Sequence, residues 1–211
     1  MTSTSRALRR ILGASLALAL TSLAGCTAVK RCAYEGFDRD DWQQPDRVVE
    51  SLAIEPGDRI ADLGAGGGYF TFRLADATGP TGTVYAADVD EGMIGFLRDK
   101  AKQDGYANVE AILGEYHDPL LPEDGVDLIF SSNTYHHLED RTAYFRNARK
   151  YLRPGGRVAI VEFNGEGWSL LGRHATPPEQ IRSELEAAGF QLAQDHDYLA
   201  KQSFQVFTIA E

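Results

Sequence analysis

From residue 59 onward the chain alternates short apolar runs with helix-length amphipathic segments, and this alternation restricts its fold more than any other feature. Arg59–Leu63, Thr83–Val89, Val109–Leu113, Val126–Ser131 and Arg157–Phe163 read as strands. The fourth is almost wholly apolar, as a strand buried on both faces must be. Between them, Tyr69–Thr78 carries Phe70, Leu74 and Ala77 at helical spacing, with Gly79-Pro80 as a stop. Asp90 is placed to cap a helix bearing Ile94, Leu97 and Ala101, and Asp140–Leu152 presents Phe145, Ala148 and Leu152 before Pro154-Gly155-Gly156. Upstream, Pro45 opens a short helix with Val48, Val49 and Leu52, closed by Pro56-Gly57. Thr176-Pro-Pro-Glu179 has capping-box spacing and opens a helix with Ile181, Leu185 and Ala188, closed by Gly189. Phe190–Gln194 and Phe204–Ile209 read as a final hairpin. Strands alternating with helices predict an α/β fold: a doubly wound, mostly parallel sheet of seven strands, the last antiparallel, with helices on both faces. The 211 residues suit one such domain, and 43% hydrophobic with 25% charged residues excludes bulk disorder.

In an open parallel sheet, ligands bind beyond the carboxyl ends of the strands. The first such end is Asp62-Leu-Gly64-Ala-Gly66-Gly67-Gly68-Tyr69. Glycines at a strand-to-helix turn let the backbone approach a ligand closely, and the helix N-terminus offers N–H groups. A dinucleotide fingerprint, G-x-G-x-x-G, would need glycine where Tyr69 stands. An ionised Asp62 beside a pyrophosphate would be repulsive, whereas beside a cation it is favourable. A nicotinamide oxidoreductase is disfavoured on both counts.

The run Asp62-Leu-Gly-Ala-Gly-Gly-Gly resembles the first motif of class I S-adenosylmethionine-dependent methyltransferases, a Rossmann-like family. Val84-Tyr-Ala-Ala-Asp88 resembles the second-strand acid that grips the ribose hydroxyls. Leu113-Gly114-Glu115 resembles the glycine–acid step that meets the adenine amino group, where the family usually has Asp and this chain has Glu. Val126-Asp-Leu-Ile-Phe-Ser-Ser-Asn133 and Leu152-Arg-Pro-Gly-Gly156 follow in family order. The resemblance covers roughly residues 43–209 and is nearest to the small-molecule, ubiquinone/menaquinone-type enzymes. It implies S-adenosylmethionine as cofactor and a small, lipophilic methyl acceptor. It also implies a cofactor set of Asp62, Gly64, Gly66, Gly68, Asp88, Val89, Glu115 and Asn133. In that set Asp62 holds the ammonium, amides of Gly64–Gly68 take the carboxylate, Asp88 accepts from the ribose, and Val89 with Ile112 sandwiches the adenine.

Methyl transfer is an in-line displacement that depends on positioning, and a base is needed only if the acceptor must lose a proton. Asn133-Thr134-Tyr135-His136-His137 follows the fourth strand and should face the methyl group. His136 or His137 is the candidate base, since imidazole titrates near neutrality; neighbouring histidines are expected to point apart, so one at most reaches the acceptor. The alternative is a histidine hydrogen-bonded to backbone beneath the loop. Trp42, Gln43 and Tyr69 are placed to roof the pocket, and Gly165–Leu171, with Trp168, offers an acceptor or bilayer contact. No metal-ligand spacing accompanies these histidines.

Residues 1–25 differ from the rest. A basic stretch ends at Arg9-Arg10, Ile11–Ala24 carries no charge, and Leu23-Ala-Gly-Cys26 follows. This run of fourteen uncharged, mainly apolar residues would span about 21 Å as a helix, short of the ~30 Å hydrocarbon core, which fits a signal peptide. Leu-Ala-Gly-Cys resembles the lipobox of bacterial lipoproteins, which implies cleavage before Cys26, acylation there and a membrane anchor. The alternative is an ordinary cleavable signal, with Cys26 free or paired with Cys32. Thr27 stands where an inner-membrane retention aspartate would be, which favours the outer membrane. The expected division is a signal peptide at 1–25, a lipidated cysteine and tether at 26–41, and a methyltransferase domain at 42–211. Without the head, 18 basic side chains face 31 acidic ones, a net charge of −13, which disfavours nucleic acid as a partner. Two rival readings are a non-catalytic lipoprotein that binds a nucleoside-like ligand and a cytoplasmic enzyme initiating near Val29.

Overall fold

A computed structural model of the protein describes residues 38–123, 125–165 and 175–210. Helices α1 (Arg39–Gln43) and α2 (Pro45–Ser51) lead into β1 (Arg59–Leu63), α3 (Thr71–Thr78), β2 (Thr83–Asp88) and α4 (Glu91–Asp104). Then come β3 (Val109–Leu113), β4 (Val126–Ser132), α5 (Arg141–Ala148), β5 (Leu152–Phe163), α6 (Pro178–Ala187), β6 (Phe190–His196) and β7 (Gln202–Ile209). The strands form one seven-stranded sheet in the order β3-β2-β1-β4-β5-β7-β6. Strands β1 to β5 are parallel, and β7 lies antiparallel between β5 and β6, as expected. Strand order reverses between β1 and β4, so their carboxyl ends open the crevice where ligands of such sheets sit.

Alternating strand residues feed two apolar layers. Ile60, Val84, Leu128, Phe130, Ala159, Val161 and Phe204 pack with Val48 of α2, Leu52 directly after it and Leu74 of α3. Ala61, Leu63, Ile129, Val158, Ile160 and Phe207 pack with Phe145 and Ala148 of α5 and Ile181 and Leu185 of α6. Asp90 caps α4 as expected, its carboxylate accepting from the N–H groups of Gly92 and Met93.

Three local expectations change. Thr176 forms no capping box: α6 begins after Pro177 without a side-chain cap, and the buried Thr176 donates its N–H to the Phe163 carbonyl instead. Pro154-Gly155-Gly156 does not end a helix directly. Strand β5 already starts at Leu152, and the register jump from Val126↔Leu152 to Leu128↔Arg157 accommodates Pro154 and the glycines as a bulge. The domain also reaches further upstream than the 26–41 tether allows, because α1 occupies residues 39–43. Cys26, the signal segment and Trp168 with its neighbours 166–171 lie outside the described residues.

Candidate active site

The loop after β1 is shaped by positive-φ glycines: Gly64 at 71°, Gly66 at 52° and Gly68 at 83°, a region costly for other residues. A Cβ on Gly64 would lie 2.1 Å from Thr134 Oγ1, so the β1 and β4 loops touch only because Gly64 has no side chain. Asp88 fixes the loop from the neighbouring strand. Its Oδ2 accepts from Gly66 N–H at 2.8 Å and its Oδ1 from Asp90 N–H at 2.9 Å. Both oxygens keep lone pairs for a further donor.

Most loop amides are already engaged. Gly64 and Ala65 donate to the Ala87 carbonyl, Gly66 donates to Asp88, and Gly68 donates to the Ala65 carbonyl. Within Gly64–Gly68, Gly67 is the described position whose N–H has no acceptor inside the protein.

Asp62, at the end of β1, is 3% exposed, and its Oδ2 accepts from Thr71 Oγ1 at 2.6 Å. Burial pushes its carboxyl up to about 6, Asp88 adds to the rise, and Thr71 and Arg39 oppose it. Beyond β2 and β3 the surface is apolar: Val89 is 43% exposed and Leu113 44%. Leu113 pairs with Asp88, so the exposed neighbour of Val89 is Leu113, whereas Ile112 packs inward against the core. Glu115 is exposed and pairs with His117 at 3.2 Å.

On the other side of the switch point, Asn133 adopts φ 54° and its Oδ1 accepts from Gln202 Nε2 at 2.6 Å. Gln202 is buried and its Oε1 has no partner. His136 and His137 sit in one 3-10 turn, Tyr135–His137, with ring centroids 4.0 Å apart. They do not point apart, because a helical turn lacks the alternation of a strand. Burial separates them all the same: the His136 side chain is 6% exposed, and His137 is exposed. His136 Nδ1 lies 2.9 Å from Glu162 Oε1, its backbone N–H donates to Glu162 Oε2, and Glu162 is fully buried. Glu162 was not singled out from sequence, although one acid ending the apolar run Val158–Val161 was the available signal.

Helix α1 covers this end of the sheet. Gln43 is fully buried and donates through Nε2 to Ser132 Oγ at 2.8 Å. Trp42 lies against Phe163 with ring centroids 5.5 Å apart, and the Tyr69 hydroxyl donates to Asp40 at 2.5 Å. The structure thus brings Asp62, Gly64, Gly66, Gly68 and Asp88 together at the mouths of β1 and β2. Val89 lies at the end of β2, Asn133 at the end of β4 and His136 in the turn that follows; Glu115 is turned to solvent. Among the described residues, no group of three His, Cys, Asp or Glu side chains could hold a metal ion.

Residues 54–207 match a family described as "Methyltransferase domain". The ubiquinone/menaquinone biosynthesis C-methyltransferase UbiE of Ectopseudomonas mendocina is 31% identical over 130 residues, covering 60% of this chain and 50% of that protein. An arsenite methyltransferase of Halobacterium salinarum is 28% identical over 151 residues, covering 66% of this chain and 39% of that protein. The chain spans half or less of the length of these curated relatives. A SAM-dependent methyltransferase from Aquifex aeolicus has the same fold, with a TM-score of 0.76 and 24% identity over 86% of this chain and 98% of that one. With the match spanning most of the chain and the glycine loop, Asp62 and Asp88 all at one strand end, this protein belongs to the class I S-adenosylmethionine-dependent methyltransferase family.

Proposed function

We propose that the protein transfers a methyl group from S-adenosylmethionine to a small, lipophilic acceptor. The observation that carries this is the pairing of an amide-oriented carboxylate, Asp88, with a bare apolar wall, Val89 and Leu113, beside the buried Asp62. A ribose donates to the first, an adenine covers the second and an ammonium neutralises the third, so the residues present fit the cofactor. Bound there, S-adenosylmethionine supplies an electrophilic methyl carbon. The protein's own contribution is to hold the acceptor in line and, where the acceptor carries a proton, to remove it.

His136 suits the second task. The buried Glu162 carboxylate accepts from Nδ1–H, which fixes the tautomer and leaves Nε2 as the basic nitrogen. Quinone-type acceptors are favoured by the likeness to the ubiquinone/menaquinone C-methyltransferase UbiE and by Trp42 and Phe163 at the roof. We infer further that Cys26 is the acylated N-terminus of a lipoprotein in the cell envelope. The support is the uncharged Ile11–Ala24 run ending in Leu-Ala-Gly-Cys. No described helix is long and apolar enough to cross a membrane.

Four outcomes are expected. Calorimetry should detect S-adenosylmethionine and S-adenosylhomocysteine binding that Asp88→Ala weakens by tenfold or more, about 1.4 kcal/mol. No binding, or binding indifferent to Asp88→Ala, overturns the cofactor site, and binding without turnover on quinones and phenols favours a binding-only protein.

Asp62 is a proton-linked site. Its folded pKa is raised, so its ionisation opposes folding: stability is fully retained below about pH 4 and declines as pH rises through about 6. Asp62→Asn should then be more stable than the parent above pH 6, by up to about 3 kcal/mol in denaturant unfolding, while binding the cofactor less well. Equal stability at both pH values contradicts this.

Glu162→Gln should lower kcat about 10²-fold or more with cofactor affinity unchanged. An unchanged kcat removes the Glu162–His136 pair from proton transfer. Mass spectrometry of the native protein should find an acylated Cys26 at the N-terminus; a chain retaining residues 1–25 rejects the anchor.

A further inference from the structure

Two buried glutamines converge on the end of β4. Gln43 of α1 donates to Ser132 Oγ at 2.8 Å, and Gln202, the first residue of β7, donates through Nε2 to Asn133 Oδ1 at 2.6 Å. Gln43 is satisfied at its other end as well, where Oε1 accepts from Arg39 Nε at 2.5 Å. Gln202 is 2% exposed and its Oε1 has no partner. An acceptor buried without a donor costs about 1–3 kcal/mol, so a side chain there for packing alone would be more stable as an apolar one.

The place of Gln202 on the sheet indicates the missing donor. Gln202 pairs with Phe163, the last residue of β5, and strand alternation sets its side chain on the face of Phe204 and Val206. The Trp42 ring meets Phe163 with centroids 5.5 Å apart, and Lys201, directly before Gln202, holds Nζ 5.4 Å from the Trp42 ring. Trp42 and Phe163 are both half-buried. Glu162 turns to the opposite face, toward His136, so the Gln202 amide and the His136 imidazole flank the ends of β4 and β5 from two sides. An aromatic pair beside an unmatched acceptor oxygen suits a flat ring that carries its own hydroxyl. A ring with carbonyl or ether oxygens alone would leave Oε1 unpaired, and a site built around a hydroxyl discriminates against such an analogue.

We propose that Gln202 is a specificity residue of the methyl-acceptor site, its Oε1 accepting from a free hydroxyl of an aromatic acceptor whose ring lies against Trp42 and Phe163. This rests on the methyltransferase reading above and narrows its acceptor to hydroxyl-bearing rings. Asn133 holds the amide by its nitrogen, which leaves the oxygen as the reading end.

The test is calorimetry at neutral pH on the full chain saturated with S-adenosylhomocysteine, with methyl 4-hydroxybenzoate and methyl 4-methoxybenzoate as probes. The two rings differ in one hydrogen-bond donor. The wild type should bind the phenol about fivefold or more tightly than the ether. Gln202→Met, similar in length but without the oxygen, should bind the two within about twofold of each other, and Gln202→Glu, which keeps an acceptor oxygen, should retain the preference. Gln205→Met is the comparison: the Gln205 Oε1 is also buried and unpaired, but the residue stands opposite Ile160 inside the sheet, and the preference should survive there. No preference in the wild type, tighter binding of the ether, or a preference that survives Gln202→Met overturns the proposal. So does S-adenosylhomocysteine affinity that falls in Gln202→Met as far as phenol affinity does, since Gln202 then acts only by holding Asn133. If Gln202→Met does not fold, the wild type and Gln202→Glu still decide, absence of the preference in either rejecting the role. A wild type that binds S-adenosylhomocysteine but neither ring rejects this proposal alone. One that does not bind S-adenosylhomocysteine sinks the methyltransferase reading and this proposal with it.

Discussion

The Asp88 carboxylate holds the site together. By accepting from Gly66 N–H and Asp90 N–H at once, it ties the loop after β1 to the start of α4, across the boundary between two parallel strands. Removing it would leave two N–H groups without partners and free a loop with three left-handed glycines, whose conformational entropy is large. The same side chain that would bind a ribose therefore also organises the loop around it. Gly64 performs the matching task on the β4 side, where only a missing Cβ admits Thr134.

Two strands were legible to the residue, one central and one at the sheet edge. Arg59–Leu63 and Val109–Leu113 appear with their expected limits, and the glycine loop lies where its spacing put it. What the sequence concealed has physical causes. Helix α1 reads as a polar tether because Arg39, Asp40 and Asp41 are charged; it is ordered by contacts with Tyr69, Arg73 and Ser132, residues about 30 to 90 positions away. Thr176 has capping-box spacing, but its backbone is taken by Phe163, and tertiary pairing overrides the local preference. Glu162 drew no reading from the sequence, lying inside the strand Arg157–Phe163. Only the fold shows that the turn after β4 places His136 over it.

The two buried carboxyl groups of the site have different partners. Glu162 is met by His136 through ring and backbone and by the N–H of Phe163, three donors that satisfy its oxygens. Asp62 has the Thr71 hydroxyl and the distant pull of Arg39, which is too little to keep it at the ordinary carboxylate value. A structural acid is normally fully satisfied, as Glu162 is. An under-satisfied one at a strand end marks a position awaiting a positively charged partner.

The charge balance at the switch point follows from this. When Asp62 is ionised, Asp62, Asp88 and Arg39 together carry one net negative charge. S-adenosylmethionine, with a sulfonium, an ammonium and a carboxylate, carries one net positive charge. Methyl transfer discharges the sulfonium, so the product is electrically neutral, while the site keeps its negative charge. Attraction across the crevice is therefore stronger for the donor than for the spent product, a difference the protein makes without any contact to the sulfur. Protonation of Asp62 would abolish that difference, because the remaining Asp88 and Arg39 cancel. In this way the raised carboxyl at the end of β1 couples folding stability, donor selectivity and pH through one side chain.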